Sequence, residues 1–115
     1  MNITIPATTT IESPYHQYIE SCRECLIACQ HFYAKAPIDF PFRVHFETLV
    51  ATLKQAILLM EKKNRFTPRY LVDCAELCEL CAKRCQRSSH KLWTYAAETC
   101  LKGMRVCRRA SMVVA

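Results

Sequence analysis

The sequence predicts an all-α protein, an antiparallel up-down-up-down bundle of four helices. The 115 residues include one glycine, and the five prolines lie outside the stretches with helical periodicity, which disfavours a turn-rich β fold. Apolar residues and cysteines recur at steps of three and four, the spacing that places side chains on one helix face. Four such stretches of similar length, joined by short connections, are typical of antiparallel neighbours in a bundle.

Prolines bound the first two helices. We expect the first helix over residues 14–35, with Ser13 as its N-cap and Pro14 at its first position. The segment 36–41, Ala-Pro-Ile-Asp-Phe-Pro, then interrupts the helical pattern. The second helix is predicted over 42–63. Its inward stripe is entirely apolar and comprises Phe46, Val50, Leu53, Ile57 and Met60.

The last two helices start at similar capping patterns. Thr67 as N-cap and Pro68 at the first position predict a third helix that extends to about residue 87. Ser88 and Ser89 are expected to cap a fourth helix over 90–112. The inward stripe of this fourth helix mixes apolar and sulfur-bearing residues, namely Trp93, Ala96, Cys100, Met104 and Cys107.

The chain is predicted to have one folded domain. Residues 1–12 are expected to form a disordered tail, and residues 13–115 a bundle with a cysteine-lined core. The tail lacks the basic and apolar regions of a signal peptide, and no apolar run approaches the roughly 20 residues of a membrane span. We therefore expect a cytoplasmic protein with reduced thiols and no membrane partner.

Seven of the nine cysteines lie in two runs with helical spacing. The first run is Cys22, Cys25 and Cys29, and the second is Cys74, Cys78, Cys81 and Cys85. The second run lies within an arc of about 60°. Neighbours in a run have Cβ atoms about 5–6 Å apart, whereas a disulfide needs about 3.5–4.5 Å. The runs therefore predict free thiols, which are soft ligands that select Cu(I).

Iron–sulfur and zinc sites are the main alternatives to copper for these cysteines. Cys78, Cys81 and Cys85 have the spacing of part of an iron–sulfur motif, but Gln86 follows where that motif has proline, and the segment favours helix. The CxxC pairs that begin at Cys22 and Cys78 are too far apart for an ordinary zinc ribbon. A bundle whose thiols are only small packing residues is the remaining alternative.

Three further side chains are candidate ligands. Met104 offers a thioether beside the fourth helix's cysteines. In an up-down bundle His45 and His90 fall at the same end, near Cys29 and Cys85, where they could pass metal inward. The alternative for both histidines is that they are simple polar residues at the helix ends.

The charge and the motifs restrict the possible functions further. The formal net charge is +6, and Lys102, Arg105, Arg108 and Arg109 cluster near the C-terminus. We interpret this cluster as a solvated helix face, so no nucleic-acid partner is expected. The sequence contains no Gly-rich phosphate loop, GxSxG elbow or HExxH motif. A non-enzymatic protein is therefore predicted.

The segment 74–85, Cys-Ala-Glu-Leu-Cys-Glu-Leu-Cys-Ala-Lys-Arg-Cys, resembles the cysteine-rich four-helix-bundle copper-binding proteins, the cytosolic copper storage proteins among them. The resemblance covers about residues 14–112. It implies that inward cysteines bind many Cu(I) ions along the bundle core and that subunits form tetramers. By this resemblance the ligands are Cys22, Cys25, Cys29, Cys74, Cys78, Cys81, Cys85, Cys100 and Cys107.

Two features of this chain depart from that pattern. The family's second helix usually carries several cysteines, whereas the second helix here is apolar, and Met104 stands where another cysteine is expected. At about two thiolates per Cu(I), the thiols would hold about four ions.

The predicted function is the binding of several Cu(I) ions for storage, buffering or detoxification, with copper exchanged with a donor or acceptor protein. The alternative is a metal- or redox-responsive regulatory or interaction protein that uses the basic face.

Overall fold

The computed structural model describes residues 14–36, 43–87 and 90–113. Four helices follow one another in the chain: α1 His16–Lys35, α2 Arg43–Lys62, α3 Thr67–Cys85 and α4 Lys91–Ser111. Both α1 and α3 pack against α2 and α4, whereas the backbones of the diagonal pairs lie farther apart, across the core. Within the described ranges there is no strand. The predicted up-down-up-down bundle is confirmed.

The first helix begins two residues later than predicted. Its N-cap is Tyr15, whose carbonyl accepts a hydrogen bond of 2.9 Å from the Ile19 N–H. The Tyr15 side chain is buried in the core, so the preceding turn is anchored there and Pro14 stays outside the helix. The prediction of Pro14 as first helical residue is wrong. Ser13 and the proposed tail at residues 1–12 lie outside the described residues, so the domain boundary stays a prediction.

The second helix ends in a Schellman motif. Lys63 has a positive φ of 52°, and its N–H donates to the Met60 carbonyl over 3.2 Å. The Asn64 N–H reaches back to the Leu59 carbonyl over 3.0 Å. These are the two bonds that satisfy helix-terminal carbonyls when the residue after the helix is left-handed. The helix therefore ends one residue before the predicted boundary.

The third helix starts with Thr67 inside it, so the prediction of Thr67 as N-cap is wrong. The N-cap is Phe66, and Pro68 occupies the first turn as expected. The buried Thr67 hydroxyl donates to the carbonyls of Leu59, over 3.1 Å, and of Asn64. The Thr67 hydroxyl therefore links α3 to the end of α2 and does not cap α3. The helix ends at Cys85, two residues before the predicted end.

The fourth helix is capped by a histidine. His90 has an extended backbone, and its Nδ1 accepts a hydrogen bond of 3.1 Å from the Leu92 N–H. Ser88 and Ser89, the predicted caps, lie outside the described residues. The observed cap occupies one of the two ring nitrogens of a residue that is also a candidate copper ligand.

The second helix forms the apolar wall of the bundle, as predicted. Phe46, Leu53 and Met60 are almost fully buried. Val50 is only half-buried. The deeply buried positions between them include Leu49 and Ala56. The inward stripe of α2 is therefore apolar, as predicted, but its centre is rotated slightly about the helix axis from the predicted position.

The closest helix pair is α3 and α4. Both helices present buried alanines, Ala75 and Ala82 on α3 and Ala96, Ala97 and Ala110 on α4. Small side chains let two helix axes approach each other, since the distance between axes depends on the side chains at the contact. In the part of the chain that is described, no helix has the length and apolar character needed to span a membrane.

Candidate metal centre

All nine cysteines are buried, and all are free thiols. They project into the core from α1, α3 and α4, while α2 contributes only the apolar side. The predicted distribution of thiol-bearing and apolar helices is thus confirmed. The absence of disulfides between neighbours within a run also agrees with the helical spacing.

One set of thiols surrounds Cys107 of α4. Its thiol interacts with the thiols of Cys22 of α1 and of Cys74 and Cys78 of α3, which lie close enough to shift its pKa. We call these four residues the Cys107 group. The group brings together three helices at the end of the bundle where α1 and α3 begin.

A second set lies toward the opposite end. The thiol of Cys100 of α4 interacts with those of Cys29 of α1 and Cys81 of α3, which lie close enough to shift its pKa. We call these three residues the Cys100 group. Cys85, the last residue of α3, is electrostatically coupled to Cys81 and extends the row toward the end of the bundle.

Cys25 connects the two groups. Its sulfur lies 4.0 Å from the sulfur of Cys29, and it lies beside Gly103 together with the sulfur of Cys78. A path of neighbouring thiols therefore runs from Cys107 through Cys78 and Cys25 to Cys29. Pairs of sulfurs across the core match the low coordination number that thiolates give to Cu(I).

Gly103 is a structural residue of the site that the helical periodicity did not reveal. A Cβ atom on Gly103 would lie 2.6 Å from the Cys25 sulfur and 3.3 Å from the Cys78 sulfur. The glycine therefore makes room for the two thiols that join the groups. A signal for it is present in the sequence, because the chain's one glycine falls three residues after Cys100 and four before Cys107. Alanine would favour the helix by about 1 kcal/mol.

Most of the thiols are held in the protonated form. The pKa values of Cys22 and Cys74 are raised, chiefly because each thiol donates a hydrogen bond to Cys107 and also because each is buried. The pKa of Cys78 is raised by its hydrogen bonds to Cys107 and Cys25. Such thiols must release their protons before they can bind a metal, so metal binding here is coupled to proton release.

Two thiols are shifted in the opposite direction. Hydrogen bonds from Cys29 and then Cys78 lower the pKa of Cys25 to about 5. Three thiol donors, Cys22 first, lower the pKa of Cys107. A buried anion is favoured where several donors point at it. Cys25 and Cys107 are therefore the two positions at which the surrounding thiols favour deprotonation.

A sequence model of the copper storage protein family matches residues 11–112. The chain belongs to the copper storage protein family. The family resemblance found in the sequence is thereby confirmed. No curated protein sequence is similar enough to this member of the family to count as a match.

Two solved structures resemble this copper storage family member. The Cu(I)-bound copper storage protein BsCsp3 superposes with a TM-score of 0.76 at 21% sequence identity, covering 85% of this chain and 98% of that protein. Metal-free copper storage protein 3 from Bacillus subtilis gives a TM-score of 0.74 at 22% identity, with 84% and 98% covered. Both likenesses support the four-helix fold.

The non-cysteine candidates occupy less favourable positions in this member of the family. Met104 is half-buried at the edge of the core, while its neighbour Gly103 lies in the centre of the α4 face. His45 and His90 start α2 and α4 and so share one end of the bundle, as predicted. His45 has a buried Nδ1 that lacks a hydrogen-bond partner among the described residues. The roles of Met104, His45 and His90 as metal ligands stay predictions.

No ready-made metal site is present among the described side chains. No three His, Cys, Asp or Glu residues in ranges 14–36, 43–87 and 90–113 are grouped tightly enough to hold one ion. The sulfurs instead form the extended row described above.

The thiol pKa values predict how the stability of the metal-free protein depends on pH. Burial, and next the charge of Cys81, raise the pKa of Cys85 from 9.0 to about 12. Between these pH values the unfolded chain loses a proton that the folded protein keeps. The stability that Cys85 contributes is therefore fully present below pH 9 and is lost as the pH rises toward 12. Cys25 acts in the opposite sense and contributes stability that is lost as the pH falls from 9 toward 5.

Urea unfolding of fully reduced protein, followed by circular dichroism at a series of pH values, checks this expectation. Cys85→Ala is the matched variant, and it should show a shallower decline on the alkaline side. A wild-type unfolding midpoint that stays constant or rises above pH 9 would contradict the assignment of Cys85 as a thiol with a raised pKa.

Proposed function

We propose that this chain stores Cu(I) on the thiolates of its nine cysteines, several ions per chain. The observation that carries the proposal is the continuous row of buried thiols, which reaches from the Cys107 group through Cys25 to the Cys100 group. Zinc prefers one closed tetrahedral site, whereas a row of paired sulfurs offers many nearly equivalent two-sulfur positions. Membership of the copper storage protein family supports the same conclusion.

The charge of the chain also supports copper loading. Nine thiolates that hold about four Cu(I) ions would carry a net charge of roughly −5. The remaining side chains carry a formal net charge of +6. A positively charged exterior therefore stabilises the loaded core, and the basic residues need no nucleic-acid partner to explain them. One of them, Arg108, is already paired with Glu79 at 3.3 Å.

The proposal extends to the setting in which the chain works. It acts by binding metal and not by catalysis, in a reducing cytoplasm that keeps all nine thiols available. Its Cu(I) comes from, and returns to, another copper carrier.

We further propose that subunits associate as a homo-tetramer, as the family resemblance implies. The non-cysteine ligands in this proposal are Met104, His45 and His90, which supplement the thiolates at the edge and the end of the row.

The number of ions per chain is the direct test. Reduced, metal-free protein is titrated with Cu(I) under anaerobic conditions against a competing chelator, and the loaded species is weighed by native mass spectrometry. We expect about four Cu(I) ions per chain, at about two thiolates per ion. A parallel titration with Zn(II) is the control. One bound ion, or displacement of copper by zinc, would overturn the proposal.

A further inference from the structure

A groove of about 530 Å³ separates α1 from α4 on the side of the bundle. Ser21, Ala28 and Thr99 are among the residues that line it, and Cys25 and Gly103 lie on it as well. On the α4 side, Gly103 has no side chain and so lets the Cys25 sulfur lie against the α4 backbone at the wall of the groove, while α4 packs more extensively against α3 than against α1.

Cys25 is the thiol with the greatest access to solvent. Its exposed fraction is 6%, whereas each of the other eight cysteines is 1% exposed or less. The difference in exposed area is small, but it coincides with a place where a groove reaches the thiol row. Cys85, at the end of the bundle, has an exposed fraction of 1%, similar to that of the thiols in the centre of the core.

We propose that this groove is the route by which Cu(I) enters and leaves the thiol row, with Cys25 as the first protein ligand. The inference rests on the proposed function, since it concerns how the stored ion reaches its sites. From Cys25 the ion can pass to Cys29, whose sulfur is 4.0 Å away, or to Cys78, whose sulfur lies with that of Cys25 beside Gly103. Copper loaded at the middle of the row can thus reach both thiol groups.

The transfer is a ligand exchange without a change of oxidation state. A Cu–S bond to Cys25 forms while the Cu–S bond to the donor thiolate breaks. The released donor thiolate takes up a proton given up by the thiols that become ligands. Copper remains Cu(I) throughout, and no oxidant or reductant is needed.

The dimensions and charges of the groove indicate a small donor. Its volume of about 530 Å³ lies within the range of about 300–1,000 Å³ that is usual for small-molecule sites. Glu24 and Glu98 line it together with Lys102 and Arg105. Side chains of both signs suit a small zwitterionic thiol that carries Cu(I), such as a thiol peptide with free amino and carboxylate groups.

A side chain that fills the groove tests the proposal. Thr99→Trp places a large ring on the groove wall, and Lys54→Trp places the same ring in the groove between α1 and α2, which has no cysteine in its lining. Stopped-flow loading is followed with Cu(I) supplied by glutathione. We expect Thr99→Trp to load at least about tenfold more slowly, because uptake then requires the bundle to open. Lys54→Trp should load at the wild-type rate.

The same experiment separates this route from uptake at the end of the bundle. Wild-type loading by Thr99→Trp, or slow loading by the His45→Ala/His90→Ala double variant alone, would overturn the lateral route. The final number of ions bound is measured in every case. If the wild-type protein binds one ion or none, the storage function itself is refuted. If Thr99→Trp loads at the wild-type rate and to the wild-type capacity, only the route through the groove is refuted.

A second measurement uses the unaltered protein and so does not depend on the folding of a variant. Metal-free, reduced protein is exposed briefly to iodoacetamide, and the modified cysteines are mapped by mass spectrometry. Cys25 should be alkylated first among the nine. If Cys85 or another thiol reacts first, the groove is not the point of access.

Discussion

Replacing both Cys78 and Cys81 by serine leaves seven of the nine thiols and is expected to lower the Cu(I) capacity from about four ions per chain to about three, at about two thiolates per ion. The two residues belong to different thiol groups, since Cys78 contacts Cys107 and Cys25, while Cys81 contacts Cys100. The double variant therefore weakens both halves of the row. The bundle should remain folded, because serine is close in size to cysteine and its hydroxyl can take over a thiol hydrogen bond.

The measurement combines anaerobic Cu(I) titration with far-ultraviolet circular dichroism of the metal-free variant. Val72→Ser, at an exposed position of the same helix, is the matched control and should bind the wild-type number of ions. Full copper capacity in a folded double variant would show that these two cysteines are packing residues, and the proposed ligand row would be wrong.

Leu53→Ala is expected to lower the free energy of unfolding by roughly 2–5 kcal/mol, the range found when a buried leucine is truncated. Leu53 is 0% exposed, and it lies on the apolar wall that α2 presents to the thiol-bearing helices. The loss combines the transfer of a smaller side chain from water with a cavity that the rigid neighbours fill only in part.

Urea unfolding of metal-free protein measures this effect without the additional stability that bound copper supplies. Leu58→Ala on the same helix is the control, because Leu58 is 41% exposed. It should change the free energy of unfolding by less than about 0.5 kcal/mol. Equal effects of the two substitutions would mean that α2 does not form the wall.

The helix boundaries show how far local sequence rules reach. The rule that places proline in the first helical turn holds for Pro68. The N-cap rule fails for Thr67, whose hydroxyl donates to carbonyls at the end of α2. A rule about one helix end could not anticipate this, because the acceptors lie in the preceding helix and in the connection that follows it. In the same way, the sequence indicates His90 only as a possible metal ligand, and its capping of α4 is visible only in the structure.

The fourth helix shows the same limit within the site itself. Its predicted stripe runs through Met104, whereas the structure places Gly103 at the centre of the face and Met104 at the edge. The shift of the stripe is small, because Ala96, Cys100 and Cys107 of the predicted stripe are all buried. Apolar and sulfur-bearing residues on both sides of the stripe make the two orientations similar in pattern, and close packing of α3 against α4 decides between them.

The sequence by itself determined the four helices, the apolar wall of α2 and the helix faces that carry thiols. These properties follow from the helical repeat of 3.6 residues per turn, which can be recognised within each segment of the sequence alone. Only the tertiary structure decided which thiols meet. The contact of Cys25 with Cys78 beside Gly103 and the groove that reaches Cys25 depend on how far apart the helices lie and how each is rotated. Those distances and rotations are set by side chains from several helices packing together, so no single stretch of sequence contains them.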